Sequence, residues 1–166
     1  MITNWVANRK MKELLSSISV SMGEDVFEMK PEQLNRLFFP SFRQVKDCII
    51  ISDSPVDKLE KAFDQVVKMM YMDKTGYEAS NTETRINCFF ENCISMELGT
   101  KIALMALEVW ILQLKSMEAQ SNFCLIMSCN EDHVEIRFHK MHENEKMWLD
   151  EELENYKDGA VGYVIV

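Results

Sequence analysis

Few residues in this chain have the type and spacing to do chemistry. Three histidines stand close together at His133, His139 and His142. The first two lie six apart in HVEIRFHK with Glu135 between them, so on a strand all three side chains share one face. Imidazoles beside a carboxylate are the parts of an acid–base pair or a metal site. They are equally the parts of an ordinary solvated strand face. The five cysteines are Cys48, Cys88, Cys93, Cys124 and Cys129. Their odd number and apolar settings (NCFF, FCLIM) suit reduced thiols used as small core residues. Neither C-x4-C spacing is a zinc signature, and there is no CxxC. Cys124 or Cys129 beside a histidine would make a thiol nucleophile, but a thiol among apolar neighbours is inert. The glycines build no phosphate loop or dinucleotide fingerprint, and no GxSxG occurs. The residues therefore predict no catalysis, no cofactor and no metal.

Charge is unevenly spread. The formal net charge is -9 and the pI about 4.9. Such a surface repels phosphate, which argues against nucleic acid and anionic membrane as direct partners and admits a basic protein. Solubility alone would explain the same total. Residues 130–158 hold ten acids against four bases, whereas residues 1–50 hold seven bases and six acids. Trp148, Leu149, Leu153 and Tyr156 are threaded through the acidic stretch, as aromatic anchors among carboxylates would be in a binder of a basic protein. The other reading is a short exposed helix over 149–156 whose Trp148 and Leu153 seal the core.

The elements that position these residues follow from periodicity. In 97–119 (ELGTKIALMALEVWILQLKSMEA) the polar residues Glu97, Lys101, Glu108 and Lys115 fall on one narrow stripe. A helix with so thin a wet edge is a covered core helix, and its charges make it unlike a membrane span. Runs 122–128 and 133–140 flank a polar turn and predict a hairpin, with Val134, Ile136 and Phe138 packed and His133, Glu135, Arg137 and His139 wet. VGYVIV (161–166) predicts a closing strand. Upstream, 3–19 predicts an amphipathic helix with 8–12 exposed, residues 21–25 a break, 26–29 a short extended piece, and 31–39 a helix begun by Pro31. VKDCIIIS (45–52) predicts one strand. Ser54 as cap and Pro55 at the first helical position open a helix whose apolar face runs from Val56 to Met70. The run 73–83 predicts a long loop, and 84–91 (TRINCFFE) reads as a strand or as a helix running into Ile94. The thirteen methionines mostly sit at helical spacing among Leu and Val, which predicts core filling.

Mixed elements without regular βα alternation predict one α+β domain over 1–166, with four or five mostly antiparallel strands packed against the long central helix and further amphipathic helices. MITNWVANRKMKE lacks the apolar run of a cleavable signal, and with reduced cysteines this predicts a cytoplasmic location.

The runs IRFHK (136–140), WLDEELENY (148–156) and GYVIV (162–166), behind a long apolar helix, resemble small acidic immunity proteins of bacterial polymorphic toxin and contact-dependent growth inhibition systems. The resemblance implies a non-enzymatic cytoplasmic antidote that binds a cognate toxin domain, often a nuclease, and blocks its active site. A nuclease needs a basic groove for phosphate, so an acidic partner is steered toward it. The residues expected to contact such a toxin are Glu131, Asp132, Glu135, Trp148, Asp150, Glu151, Glu152, Glu154, Tyr156 and Asp158. The rival expectation is a small enzyme or ligand-binding domain with a pocket near His133 and His139. Oligomeric state is not legible in the residues.

Overall fold

The computed structural model describes residues 2–18, 28–71 and 73–166. In chain order the elements are β1 (Val6–Ala7), α1 (Arg9–Ser17), α2 (Pro31–Phe38), β2 (Phe42–Val45), β3 (Cys48–Ile51) and α3 (Val56–Val66), which continues as a π-helical turn (Val67–Tyr71). Then come α4 (Lys74–Asn81), β4 (Thr84–Arg85), a 3-10 turn (Ile86–Phe89), α5 (Met96–Met117), β5 (Phe123–Cys129), β6 (Val134–Lys140), a 3-10 turn (Leu153–Asn155) and β7 (Ala160–Ile165). The fold is α+β. A five-stranded antiparallel sheet has the order β1-β7-β5-β6-β4, and β2–β3 form a separate hairpin.

The central helix is the predicted one. Ser95 caps it by accepting from Leu98 N at 3.1 Å, and Ile102, Ala103, Ala106, Leu107, Trp110 and Leu114 are buried along it. It packs on the sheet face that carries Leu125, Met127, Val134, Ile136, Phe138 and Val164. Gly99 permits the approach, since a Cβ there would lie 3.1 Å from Val134 Cγ2. Trp110 anchors the layer. Its ring stands edge-on to Phe42 and Phe138, at centroid distances of 5.7 and 6.1 Å, and its Nε1 donates to Leu37 O at 2.8 Å. At the other edge Gly162 lets β1 and α1 lie against β7, because a Cβ there would meet Ala7 Cβ at 3.0 Å. One side of α5 departs from the expected cover: Leu112 is 72% exposed.

The outer edge of β6 is closed in an unusual way. β4 pairs only with Ile136 and Glu135. Beyond it the Thr82 hydroxyl accepts from Phe138 N and donates to Phe138 O (3.0 and 2.7 Å), Glu78 accepts from Lys140 N (2.7 Å), and Asn87 accepts from Val134 N (3.0 Å). Side chains thus occupy the backbone groups that another strand would use.

Several local expectations are corrected. Residues 45–52 hold a turn: Lys46 takes the left-handed region (φ 55°) and splits the run into β2 and β3, paired Val45 with Cys48. No glycine or asparagine marks that turn. The polar run after residue 72 is α4, because Asp73 caps it by accepting from Gly76 N at 2.6 Å, and tertiary partners bury Thr75 to Ala79. Residues 84–91 give a two-residue strand and a 3-10 turn. The first helix begins only at Arg9: Val6 and Ala7 pair with β7, and Asn8, 2% exposed, is its cap. Met11, placed with the exposed basic residues, is buried beside it. Pro55 rather than Ser54 occupies the cap of α3, without a side-chain bond. Met11 and Met127 fill the core, but Met69, Met70, Met105, Met117 and Met141 are exposed, because these apolar stripes are wider than the faces the core covers. Cys48, Cys124 and Cys129 are buried, while Cys88 and Cys93 are exposed. The break at 21–25 and the first half of the extended piece at 26–29 lie outside the described residues. No helix among the described residues is long and apolar enough to cross a membrane.

Candidate functional site

Topology decides where the acidic stretch lies. β6 and β7 both run antiparallel to β5 and are therefore parallel to each other. Residues 141–159 must return along the sheet between them, on the face opposite α5. That face carries Glu135, Arg137 and His139 from β6, and the return segment covers it as a strap. Trp148 lies over Arg137 (5.7 Å from the guanidinium carbon to the ring centroid), and its backbone N–H points at His139 Nε2 at 3.4 Å. Leu153 is 7% exposed and seals the strap.

Two ties hold the strap's ends. Near its start, the Glu145 carboxylate accepts from Lys74 N (3.2 Å), Thr75 N (2.8 Å) and Thr75 Oγ1 (2.8 Å), at the N-terminus of α4. Near its end, Asn8 donates through Nδ2 to Tyr156 O and Gly159 O, and its Oδ1 accepts from Met11 N and Val161 N. Sequence reading missed both. The Asn8 signal was legible as a helix cap, but its grip on residues 156–161 was not, because it spans nearly the whole chain.

The ten expected contact residues do not all share one environment. Glu131, Asp132, Asp150, Glu151, Glu152, Glu154 and Asp158 are exposed. Among the described residues Glu151, Glu152 and Asp158 make no ion pair. Glu154 accepts from Arg9 N at 2.8 Å, and Asp150 accepts from Glu152 N and Asn155 Nδ2. A groove of about 320 Å³ runs between the hairpin turn and the end of the strap, lined by Asn130, His133, Asn155, Tyr156 and Asp158. It brings the 130–133 turn and the 155–159 segment together. Trp148 is 42% exposed. Tyr156 is half-buried, its hydroxyl accepting from Asp150 N at 2.9 Å. Glu135 stands apart. It is 7% exposed, in contact with Arg137, and 3.7 Å from Arg85. The short helix over 149–156 is a single 3-10 turn.

The histidines do not converge on one cavity. His133 and His139 lie roughly 20 Å apart along the strand. His133 lines the groove, whereas His139 is 1% exposed beneath the strap. The expectation that this face of β6 is wet is corrected for Glu135 and His139: the strap lies over His139 at Trp148, and the side chains of Arg85, Arg137 and His133 surround Glu135. Burial holds the His139 imidazole below its ordinary value, against the opposing pull of Lys140 O. Both ring nitrogens are engaged: Nδ1 donates to Lys140 O at 2.9 Å if Nε2 accepts from Trp148 N. Burial pushes the Cys124 thiol up to about 12 and the Cys129 thiol to about 11, so neither ionises near neutrality.

A different trio does meet. Glu78, fully buried in α4, accepts from Ile49 N (Oε1, 2.6 Å), from Lys140 N (Oε2, 2.7 Å) and from His142 Nε2 (Oε2, 2.9 Å). Buried Cys48 lies against it. Around the trio, Lys74 pairs with Asp47 at 2.5 Å, and Lys140 pairs with Glu118 at 2.6 Å. Glu78 joins the β2–β3 hairpin to the main sheet through one carboxylate. Separations of 29 residues and more leave no sequence signal for it.

Acid is expected to loosen the strap. Burial opposes ionisation of Glu145, but the Thr75 amide and hydroxyl and the Lys74 amide outweigh it and hold the carboxyl below its ordinary value. A carboxyl depressed in the folded state contributes stability above its unfolded value, about 4.3, and loses it as pH falls through the folded one. The difference in emission between the wild type and Trp148→Phe should therefore change below about pH 4. Glu145→Gln should show that changed signal already at neutral pH. Identical acid profiles for the wild type and Glu145→Gln would rule the tie out.

No curated protein and no solved structure matches the chain in the comparisons made. A family model does match, over residues 6–165, and so takes in every strand of the sheet, the central helix and the strap. The chain belongs to the Uncharacterized protein PM0498 family.

Proposed function

We propose that this protein is a non-catalytic immunity protein that neutralises a basic toxin domain of the nuclease class by laying its acidic strap and hairpin turn over the toxin's active site. One observation carries the reading. The strap turns Asp150, Glu151, Glu152, Glu154 and Asp158 outward on a backbone pinned at both ends, next to the turn bearing Glu131 and Asp132. A fixed array of carboxylates costs little ordering entropy on binding, and it steers a positively charged partner. Half-exposed Trp148 supplies an apolar anchor. Glu135 is not part of this surface; its pairing with Arg137 and Arg85 holds the sheet face under the strap. His139 is buried beneath the strap, and the Cys124 and Cys129 thiols are buried as well.

The test looks for a large secreted protein encoded immediately upstream, where a cognate toxin is expected, and uses its C-terminal domain. The two chains should form a tight complex and the antidote should abolish the toxin's activity. Glu151→Lys with Glu152→Lys should slow association at low salt and flatten its salt dependence, since exposed charges act mainly on the encounter. Trp148→Ala should weaken binding about 30-fold, corresponding to roughly 2 kcal/mol. Unchanged affinity at low salt in the charge-reversed protein would remove the strap from the interface.

A further inference from the structure

We propose that Cys48, Glu78 and His142 hold a divalent transition-metal ion of the zinc class. The three come from β3, α4 and the start of the strap, and one ligand atom from each lies within 4.8 Å of the other two. Tetrahedral bonds of about 2.0–2.3 Å require ligand atoms roughly 3.3–3.6 Å apart. The 2.9 Å between His142 Nε2 and Glu78 Oε2 then has to open by only a few tenths of an ångström. Thiolate, imidazole and carboxylate together are a borderline-soft set, which selects zinc over magnesium or calcium.

The surroundings support a cation. One thiolate and one carboxylate balance a divalent charge, so the filled site is neutral in its buried setting. Asp47 and Glu145 add negative potential at Cys48, with Lys74 opposing them. The carboxylate is already held in place, because Ile49 N and Lys140 N donate to Glu78. His139 is not the fourth ligand, because its two nitrogens are turned to Lys140 O and Trp148 N. A water completes the shell. On binding, Cys48 releases its thiol proton to solvent and His142 presents a Nε2 lone pair, its proton carried on Nδ1. The ion would staple the hairpin, α4 and the strap's origin at one point, so its effect is on folding rather than on the outer acidic surface.

The experiment strips the full-length protein with chelator and titrates it with Zn2+ by calorimetry and with Co2+ as a spectroscopic probe. The expected result is one ion per chain, proton release, a raised melting temperature and a thiolate-to-cobalt charge-transfer band. Cys48→Ser and His142→Gln should each lose the band and lower Zn2+ affinity on the order of 100-fold or more. The double variant Cys88→Ser, Cys93→Ser, which alters only exposed thiols, should keep it. If Cys48→Ser does not fold, His142→Gln and the wild-type titration still decide. No stoichiometric binding by the stripped wild type overturns the proposal, as does a band that survives His142→Gln or disappears with Cys88 and Cys93.

Discussion

Glu78→Ala is expected to cost about 3–5 kcal/mol of folding stability, a large share of the roughly 5–15 kcal/mol that holds a domain together. The side chain is fully buried, and its two oxygens take the N–H groups of Ile49 and Lys140 and the imidazole of His142. Truncation strands those donors away from water, and an unmet buried donor costs far more than a hydrogen bond gains on average. It also unties the β2–β3 hairpin from β6, since these are the bonds between them that Glu78 supplies. Glu78→Gln should recover little. Its single oxygen can serve one amide, while its own NH2 faces the other donor. Urea denaturation in chelator isolates the hydrogen-bond loss from any metal effect. A cost below about 1 kcal/mol for Glu78→Ala would mean that the carboxylate is not the joint between the sheets.

Trp110→Ala is expected to cost about 3–5 kcal/mol. The indole is fully buried among Phe42, Phe138 and the core of α5, and the ring contacts to both phenylalanines are edge-on. Truncation leaves a cavity that the sheet on one side and α2 on the other cannot collapse to fill. It also frees Leu37 O, whose partner is Trp110 Nε1. The loss should therefore be directional: hydrogen exchange should rise first in α2 and later in the β5–β6 ladder, which has its own backbone pairing. Trp110→Phe should cost less, roughly 1–3 kcal/mol, because most of the volume stays and the indole bond goes. Uniform acceleration of exchange across α2 and the sheet would show that the indole does not specifically dock α2.

The readable parts of the fold share a feature: each repeats a local pattern. The alternation in 133–140 with its polar turn yields β5 and β6 as the expected hairpin, and Asn130 Oδ1 closes the turn by accepting from Asp132 N and His133 N. The narrow polar stripe of 97–119 yields α5. Where the pattern was weak, reading failed for identifiable reasons. α4 hid behind Gly76 and a polar composition, although Asp73 was a legible cap. The β2–β3 turn hid because Lys46 adopts a conformation usually left to glycine or asparagine.

On the candidate surface, composition by itself marked 130–158 as acidic and aromatic, and hydrophobic spacing by itself marked one face of β6 as core. Whether the other face was wet could not be read locally. It depended on residues 141–159 crossing that face to reach β7, which follows only from β5 lying between β6 and β7. That crossing buries His139, leaves Glu151 and Glu152 outside, and brings His142 to Glu78 and Cys48. Periodicity records which side of an element avoids water; it holds no record of which distant segment will do the covering, because burial of a polar face depends on partners supplied from elsewhere in the chain.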